Sequence, residues 1–570
     1  MTEDEPDDGS AAQSVFADIW ASLRALASSF RSPDIAKALV AYFAFTITEW
    51  AAFIALIVYA YEDGGSMMVG LVSLLQLIPA AVIAPIGSVL GDRHRRERVL
   101  LLAHASLATM TGVAAVALLV GAPAYLVYAA GTSAGWVITL VRPTHASLLP
   151  RLVRTPEELS SAYAATGLLE SLSILVGPLL AGGVMALAPG SLSGPGLVDA
   201  VLAVLLFAGT VAVATIRIRT EPAEEGGTSG VRIVVSDAMV GIRAVARDRR
   251  SLLLVLTMGL AMVQLGFVDV LIVVLAFDVI GTGDAGVGFL TASIGVGAVV
   301  GAALAIGFAL RWRSSRSFLW GASSSGLSIA AIAAQPALAA GFLAVSGAGG
   351  ALADVNGRVM LQRLIPDRQL SRTFGVLESL YMAGEGVGSF LASLVVVGIG
   401  TQWTLLVAGL LLPAAALAGR RALVALDVGV RIPAQEMSLL RSIPIFAPLP
   451  TPMLERLARN LIPITLTAGA VVIRQSEVGD RFYVVVDGEV EVRVDSRRIA
   501  ALGPGGSFGE IALIRDVPRT ATVVAVGETS LLALDRDEFL RAVTGHEGAS
   551  DAAHGLAAER LEDLEASRDP

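Results

Sequence analysis

Residues 88–98 read Ser88-Val-Leu-Gly91-Asp92-Arg93-His-Arg95-Arg96-Glu97-Arg98 and stand between two apolar blocks, 67–90 and 99–119. The four arginines of 92–98 are too costly to place in hydrocarbon, so this stretch turns the chain round at a membrane surface. The pattern continues on both sides. A bilayer core takes about 20 apolar residues per helix, and twelve such stretches fit: 38–61, 67–90, 99–119, 124–141, 159–187, 197–216, 252–280, 285–310, 318–334, 338–361, 373–397 and 403–418. The intervening segments 62–66, 120–123, 188–196, 281–284, 335–337 and 398–402 carry no Lys or Arg. The others carry 4 arginines (92–98), 3 (142–158), 7 (217–250), 3 (311–317) and 4 (358–372). Positive residues stay inside, so twelve spans with both termini in the cytoplasm are expected, in the plasma membrane.

Composition agrees with this reading. Of 570 residues, 55% are hydrophobic and 16% charged, against roughly 25% charged in a soluble chain. Cysteine is absent, which removes disulfides, thiol nucleophiles and Cys-ligated metals. Among 41 basic residues the one lysine, Lys37, follows Ser-Pro-Asp-Ile-Ala rather than a glycine-rich loop, so no phosphate-loop ATPase is expected. No nucleophile–base set or metal cluster is visible, and neither an enzyme nor a metal is expected. Residues 1–36 open on acids and lack a basic, apolar signal peptide.

The two halves echo each other. Val69-Gly70 recurs as Val287-Gly288, and Arg93, Arg95 and Arg98 recur as Arg311, Arg313 and Arg316. Arg151-Leu152 recurs as Arg363-Leu364, and Leu169-Glu170-Ser171-Leu172 as Leu377-Glu378-Ser379-Leu380. Same-direction repeats of six helices predict two pseudo-symmetric bundles round a central cavity.

Over about 37–420 the chain resembles the major facilitator superfamily. The 88–98 segment is similar to that family's loop between its second and third helices, with Ser88 and Arg95 replacing usual glycines. The resemblance implies a conformational latch at Asp92, Arg93 and Arg96, not a substrate site. Gly177-Pro178-Leu-Leu-Ala181-Gly182 is similar to the family's antiporter signature. Small residues also let helices pack closely, which is an alternative reading of Gly177 and Pro178. The stretch from Arg142-Pro143 to Leu159, with Ala162-Tyr163-Ala164, resembles the branch of drug and siderophore exporters.

An ionisable group inside a membrane costs several kcal/mol unless it faces a cavity or a partner. Glu49 lies in the middle of the first span and Asp269 in the middle of the seventh. They are the first candidates for proton coupling or contact with a cationic substrate; a structural hydrogen bond to a neighbouring helix is the alternative. Glu385 lies deep in the eleventh span. Glu170 and Glu378, nearer the cytoplasmic side, are expected to pair between the bundles with Arg142, Arg358 or Arg363 and so hold a gate shut.

From about 436 the composition changes. Residues 469–473, 481–486, 488–494 and 521–526 alternate as short strands with glycine turns, which predicts a small α+β roll. A helix is expected from Asp537. The segment Phe508-Gly509-Glu510-Ile511-Ala512-Leu513-Ile-Arg-Asp-Val-Pro518-Arg519-Thr520 resembles the phosphate cassette of cyclic-nucleotide-binding domains of the catabolite-activator type. Glycine lets backbone approach a ligand, amides opening a short helix can hold an anion, and Arg519 offers a fork to phosphate. By resemblance Glu510 accepts the ribose 2′-hydroxyl hydrogen bond. Gly509, Glu510, Ile511, Ala512, Arg519 and Thr520 are the expected binding residues, with cyclic AMP as ligand and cyclic GMP as the alternative. Only some 36 acid-rich residues follow the last expected strand, which argues against nucleic-acid binding.

The expected organisation is therefore a cytoplasmic segment (1–36), a six-helix bundle (37–217), a cytoplasmic loop (218–250) and a second six-helix bundle (251–420). A linker (421–440), the cyclic-nucleotide domain (441–545) and a closing helix or tail (546–570) follow. The expected function is export of a small molecule across the lipid bilayer by proton coupling, under allosteric control by cyclic AMP. A non-transporting membrane receptor or scaffold, or a nucleotide-independent docking roll, are the alternatives.

Overall fold

A computed structural model describes residues 32–93, 96–153, 155–190, 192–216, 239–243, 245–311, 314–365, 367–428, 434–449 and 451–566. The chain forms two compact units, one ending at Gly429 and one beginning at Val430.

The first unit is helical: α1 (Pro33–Arg93), α2 (Arg96–Leu119), α3 (Ala124–Leu152), α4 (Pro156–Leu187), α5 (Gly194–Ala214), α6 (Arg249–Val274), α7 (Gly283–Arg311), α8 (Ser314–Ile332), α9 (Ala339–Leu364), α10 (Asp367–Ile399) and α11 (Thr401–Val428). Among the described residues, ten helices are long and apolar enough to cross a membrane, so the chain is a multi-pass membrane protein. Two features separate ten from the expected twelve. The first two apolar stretches run together in α1, which bends at Gly64 (φ −151°, ψ 22°) and Gly65 (φ 64°, ψ −162°); the latter conformation is open only to glycine. The other is α8, whose seven serines and Arg316 leave it less apolar than the rest. The last helix also outruns its expected end at 418 and reaches Val428.

Helices from the two halves meet backbone to backbone. A Cβ on Gly288 of α7 would lie 2.5 Å from Cα of Gly182 on α4, so these axes approach closely because both side chains are missing. Nearby, Tyr61 at the end of the first arm of α1 donates a 2.6 Å hydrogen bond to Oδ2 of Asp278. Asp278 sits in a π-helical turn, Leu275–Val279, that continues α6. Within the first half, Tyr128 donates to Asp63 at 2.7 Å.

The second unit opens with α12 (Ala434–Ser442) and α13 (Thr451–Arg459). Eight strands follow: β1 (Ile462–Leu466), β2 (Val471–Ile473), β3 (Arg481–Asp487), β4 (Val490–Val494), β5 (Arg497–Leu502), β6 (Ser507–Phe508), β7 (Thr522–Ala525) and β8 (Thr529–Asp535). They form two four-stranded antiparallel sheets, ordered β1-β8-β3-β6 and β2-β7-β4-β5. Strand side chains alternate between faces, and β3 uses both. Tyr483 and Val485 join Val490, Phe508, Val523 and Leu531 between the sheets. Phe482 and Val484 turn to a helical layer with Leu440, Phe446, Leu457 and Phe539. The rings of Phe446, Phe482 and Phe539 are fully buried with centroids 4.9–6.0 Å apart, and truncating one to Ala is worth about 3–5 kcal/mol.

Between β6 and β7 lies the short α14 (Glu510–Arg515). The single helix expected from Asp537 is broken at Gly545–His546 into α15 (Arg536–Thr544) and α16 (Glu547–Ala566).

Candidate functional site

The roll places the cassette residues together. Gly509 follows β6 in the left-handed region (φ 93°, ψ 0°) and caps α14. A Cβ there would lie 2.7 Å from Nη1 of Arg519 and 3.0 Å from the carbonyl of Arg481, so both conformation and space require glycine. Glu510 opens α14 and is 1% exposed. Its Oε1 accepts a 2.7 Å bond from Nη1 of Arg560 on α16, which also donates to the carbonyl of Ser507 at 2.8 Å. Its Oε2 is buried and has no hydrogen-bond partner.

Arg519, 3% exposed, lies on the strand side of the same site. It donates from Nη1 to the carbonyl of Gly509 (3.0 Å), and from Nη2 to the carbonyl of Arg481 (2.7 Å) and Oδ1 of Asp480 (3.3 Å). Its guanidinium stands 5.9 Å from the ring centre of Tyr483. A guanidinium has five N–H donors, so Arg519 retains capacity for an incoming anion. Burial, reinforced by Asp480, raises the Tyr483 phenol above its ordinary range, so it stays a neutral hydroxyl. Ile511 and Ala512 are buried within α14, and Thr520 is half-buried beside Arg519.

An orphaned carboxylate oxygen beside a buried arginine suits a ligand that brings one hydroxyl and one anionic group. Burying an acceptor without a donor is unfavourable by about 1–3 kcal/mol, and a ribose hydroxyl would relieve it. Glu510 and Arg519 thus set a hydroxyl acceptor and an anion donor into the same wall of the roll.

The membrane unit holds a second set of charges. Arg142 on α3 donates from Nη2 to Oε2 of Glu49 at 2.6 Å and from Nη1 to the phenol oxygen of Tyr42 at 3.5 Å, and it forms an ion pair with Glu170 on α4. Arg358 on α9 pairs with Asp354 through Nε and with Glu378 on α10 through Nη1, each at 2.9 Å. Tyr381 donates to Asp354 at 2.7 Å. These close ion pairs each lie within one half, Arg142 with Glu49 and Glu170 and Arg358 with Asp354 and Glu378, while Arg142 also interacts electrostatically with Glu378 of the other half. Asp269 on α6 and Glu385 on α10 lie near each other across the two helices, and Oδ2 of Asp269 is buried without a hydrogen-bond partner. Gly177 packs against Ile47 and Trp50 of α1, and the carbonyl of Pro178 faces Gly288. Arg96 donates to the carbonyl of Ser147 at 2.7 Å. Asp92 and Arg93 end α1, but their side chains lie outside the described residues.

Residues 38–316 match the family model of the Major Facilitator Superfamily, and residues 463–546 match that of the cyclic nucleotide-binding domain. The chain thus carries in succession a stretch similar to the Major Facilitator Superfamily and one similar to the cyclic nucleotide-binding domain. Among solved structures it is similar to cAMP-bound PfPKA-R, at 24% identity over 26% of this chain and 51% of that one (TM-score 0.24). It is also similar to the regulatory domain of Toxoplasma gondii PKA co-crystallised with cAMP, at 28% identity over 25% and 56% (TM-score 0.22). A third is the Thermus thermophilus catabolite activator protein, at 29% identity over 22% and 62% (TM-score 0.20). The chain spans about half the length of the first two.

The sequence pattern pointed to Glu510 and Arg519 but missed Arg560, Asp480 and Tyr483 around them. Arg560 had a visible signal as the lone arginine in the acidic stretch 547–566. Asp480 and Tyr483 had none, since nothing in a strand's alternation says which buried residue borders a ligand.

Proposed function

We propose that this protein is a secondary transporter of the plasma membrane, with both termini in the cytoplasm, that exports a small molecule by proton coupling under control of cyclic AMP. The reading counts twelve spans, taking the two arms of α1 separately and including α8, in two bundles (37–217 and 251–420) joined by the loop 218–250. In it, Glu49, Asp269 and Glu385 carry the coupling proton, and Arg142 and Arg358, with Glu170 and Glu378, set the inner gate. Asp92, Arg93 and Arg96 latch the loop after the second span, and Gly177 and Pro178 serve the close contact of α4 with the other half. The drug and siderophore exporters are the branch in view.

The observation that carries the regulatory half is the buried, unpaired Oε2 of Glu510 beside Arg519. When bound, the nucleotide supplies the missing hydroxyl donor and a phosphate. This chain's part is to hold them at Glu510, Arg519 and the amides from Ile511 and Ala512, with Thr520 alongside. Because Arg560 on α16 already bonds Glu510, a ligand that re-forms the hydrogen bonds of Glu510 changes the hold on that helix. The domain 441–545, the tail 546–570 and the linker 421–440, continuous with the last span, then bias the transport equilibrium. That bias cannot exceed the ligand's differential affinity for the two states.

Calorimetric titration of cyclic AMP and cyclic GMP against the purified full chain, wild type beside Arg519→Ala, tests this. Binding of cyclic AMP that the variant loses supports the sensor; tighter binding of cyclic GMP transfers it to that ligand. Absence of binding by either leaves a docking roll and removes the regulation. Proton flux into proteoliposomes, compared with Glu49→Gln and Asp269→Asn, tests the transport half. No flux with any substrate tried would favour a membrane receptor.

A further inference from the structure

Inside the first six-helix half lies a small cavity of about 30 Å³ that none of the assigned residues explains except at one end. Glu49 borders it at mid-membrane. Gln76, Thr111, Leu118, Val127 and Asp199 carry it toward the arginine-free loops 120–123 and 188–196. By the measure in which one water needs about 10–15 Å³, it has room for about two. Size alone says nothing, because an apolar void of this kind stays dry.

Its polar wall is what matters. Asp199 on α5 is 7% exposed and has no hydrogen-bond or ion-pair partner among the described residues. Gln76 on the second arm of α1 is 8% exposed, and its Oε1 is buried without a partner. The amide of Gln76 is held in place by the lack of a side chain opposite, since a Cβ on Gly135 would lie 2.5 Å from its Cγ and Nε2. Two buried polar side chains with no protein partner, converging on one cavity, need water between them. A water bridging Gln76 and Asp199, with Thr111 as its third partner on the cavity wall, would make the three polar contacts that buried waters typically make.

We propose that this cavity is a hydrated proton-entry site, in which Asp199 accepts a proton from the outer side and relays it through water held by Gln76 and Thr111 to Glu49. The inference rests on the proton-coupled reading of Glu49 and names the route by which that carboxylate is reached. The step balances simply: the Asp199 carboxylate gains a proton from bulk water, loses it to cavity water, and Glu49 receives it. Once neutral, Glu49 no longer binds Arg142 as a charge partner, and Arg142 is left to Glu170. The groups that face this path are few. Glu49 meets Arg142 from α3, Tyr42 about two turns along its own helix, and Glu385 from α10. On the cavity wall Asp199 faces Gln76 and Thr111, and Asp284 of α7 stands beside Gly194 at the start of α5.

Infrared difference spectroscopy of the purified full chain, stepped in pH and repeated in deuterium oxide, tests the site without a transported substrate. The wild type should show a carboxyl C=O band that titrates, and Asp199→Asn, nearly isosteric, should remove it. Gln76→Leu and Gly135→Ala should leave the band but slow its deuterium exchange at least tenfold, while Glu49→Gln should leave both intact. An unchanged set of titrating bands in Asp199→Asn overturns the proposal, as does unaltered exchange in both Gln76→Leu and Gly135→Ala. A band that responds to sodium at fixed pH also overturns it, by making the site one for a metal cation. Failure of the parent reading would look different: Glu49→Gln would leave proton flux in liposomes unchanged whatever the spectrum of Asp199 does.

Discussion

Arg560 donates a 2.7 Å hydrogen bond to Oε1 of Glu510, so the last described helix is pinned to the acid of the cassette by a single charged contact. The acid is almost fully buried while the arginine is about one-third exposed. Removing the arginine therefore strands a buried carboxylate, and the loss is larger than that of a surface pair. Arg560→Ala is expected to destabilise the roll by about 1–3 kcal/mol and to open α16 to protease. Chemical denaturation and limited proteolysis check this. Glu510→Gln in the same chain should restore part of the loss, and additive effects of the two changes would show that the contact carries nothing.

Arg519→Lys separates charge from geometry. Lysine keeps the positive charge but cannot reach the carbonyls of Gly509 and Arg481 and a phosphate together from one planar fork. Affinity for cyclic nucleotide is expected to fall roughly 10- to 100-fold, corresponding to about 1.5–3 kcal/mol for a charge-assisted bond. Calorimetry reads it directly, and wild-type affinity in the lysine variant would reduce Arg519 to a point charge.

At Gly509 the conformation itself is at stake. Alanine would hold φ near 93° against its preference and press its methyl on Nη1 of Arg519. Gly509→Ala is expected to cost about 1–3 kcal/mol of stability and to weaken nucleotide binding through displacement of Arg519. Thermal unfolding with and without cyclic AMP separates the two effects. A variant as stable as the parent would mean that the loop relaxes elsewhere.

Tyr61→Phe removes the donor to Asp278 and leaves the ring, whose centre stands 4.9 Å from that of Phe277. The bond links the two halves, so its loss should shift the conformational balance by about 0.5–1.5 kcal/mol, a factor of about 2–13 in population. Since the chain has no cysteine, a pair introduced at the bend 62–66 of α1 and in the segment 281–284 can be spin-labelled uniquely. The distance distribution between them should broaden toward longer values in Tyr61→Phe. Tyr128→Phe, whose bond to Asp63 stays within one half, should leave it unchanged.

The arginine clusters between apolar blocks announced a multi-pass helical protein, and the word Phe508-Gly509-Glu510 with Arg519 announced the cassette. Both are local signals carried by residue type and spacing. What the chain order hid was long-range pairing. Arg142 has acids available in either half, and only the facing of α3 decides for Glu49 and Glu170. Helix ends were also hidden: Gly64-Gly65 reads as a loop, yet it bends one run of helix, and Gly545 divides a stretch that reads as continuous. The orphaned oxygens of Glu510 and Gln76 are invisible in sequence by their nature, since a missing partner is a property of space.

The contact of Gly182 with Gly288 has a mechanical meaning. A second close approach lies two turns further along α7, where a Cβ on Gly295 would come within 2.8 Å of the carbonyl of Ile174 on α4. Two such contacts about 10 Å apart at 1.5 Å per residue join the helices along a seam rather than at a point. Bulk added at Gly182, Gly288 or Gly295 can only wedge that seam open, and with it the two halves.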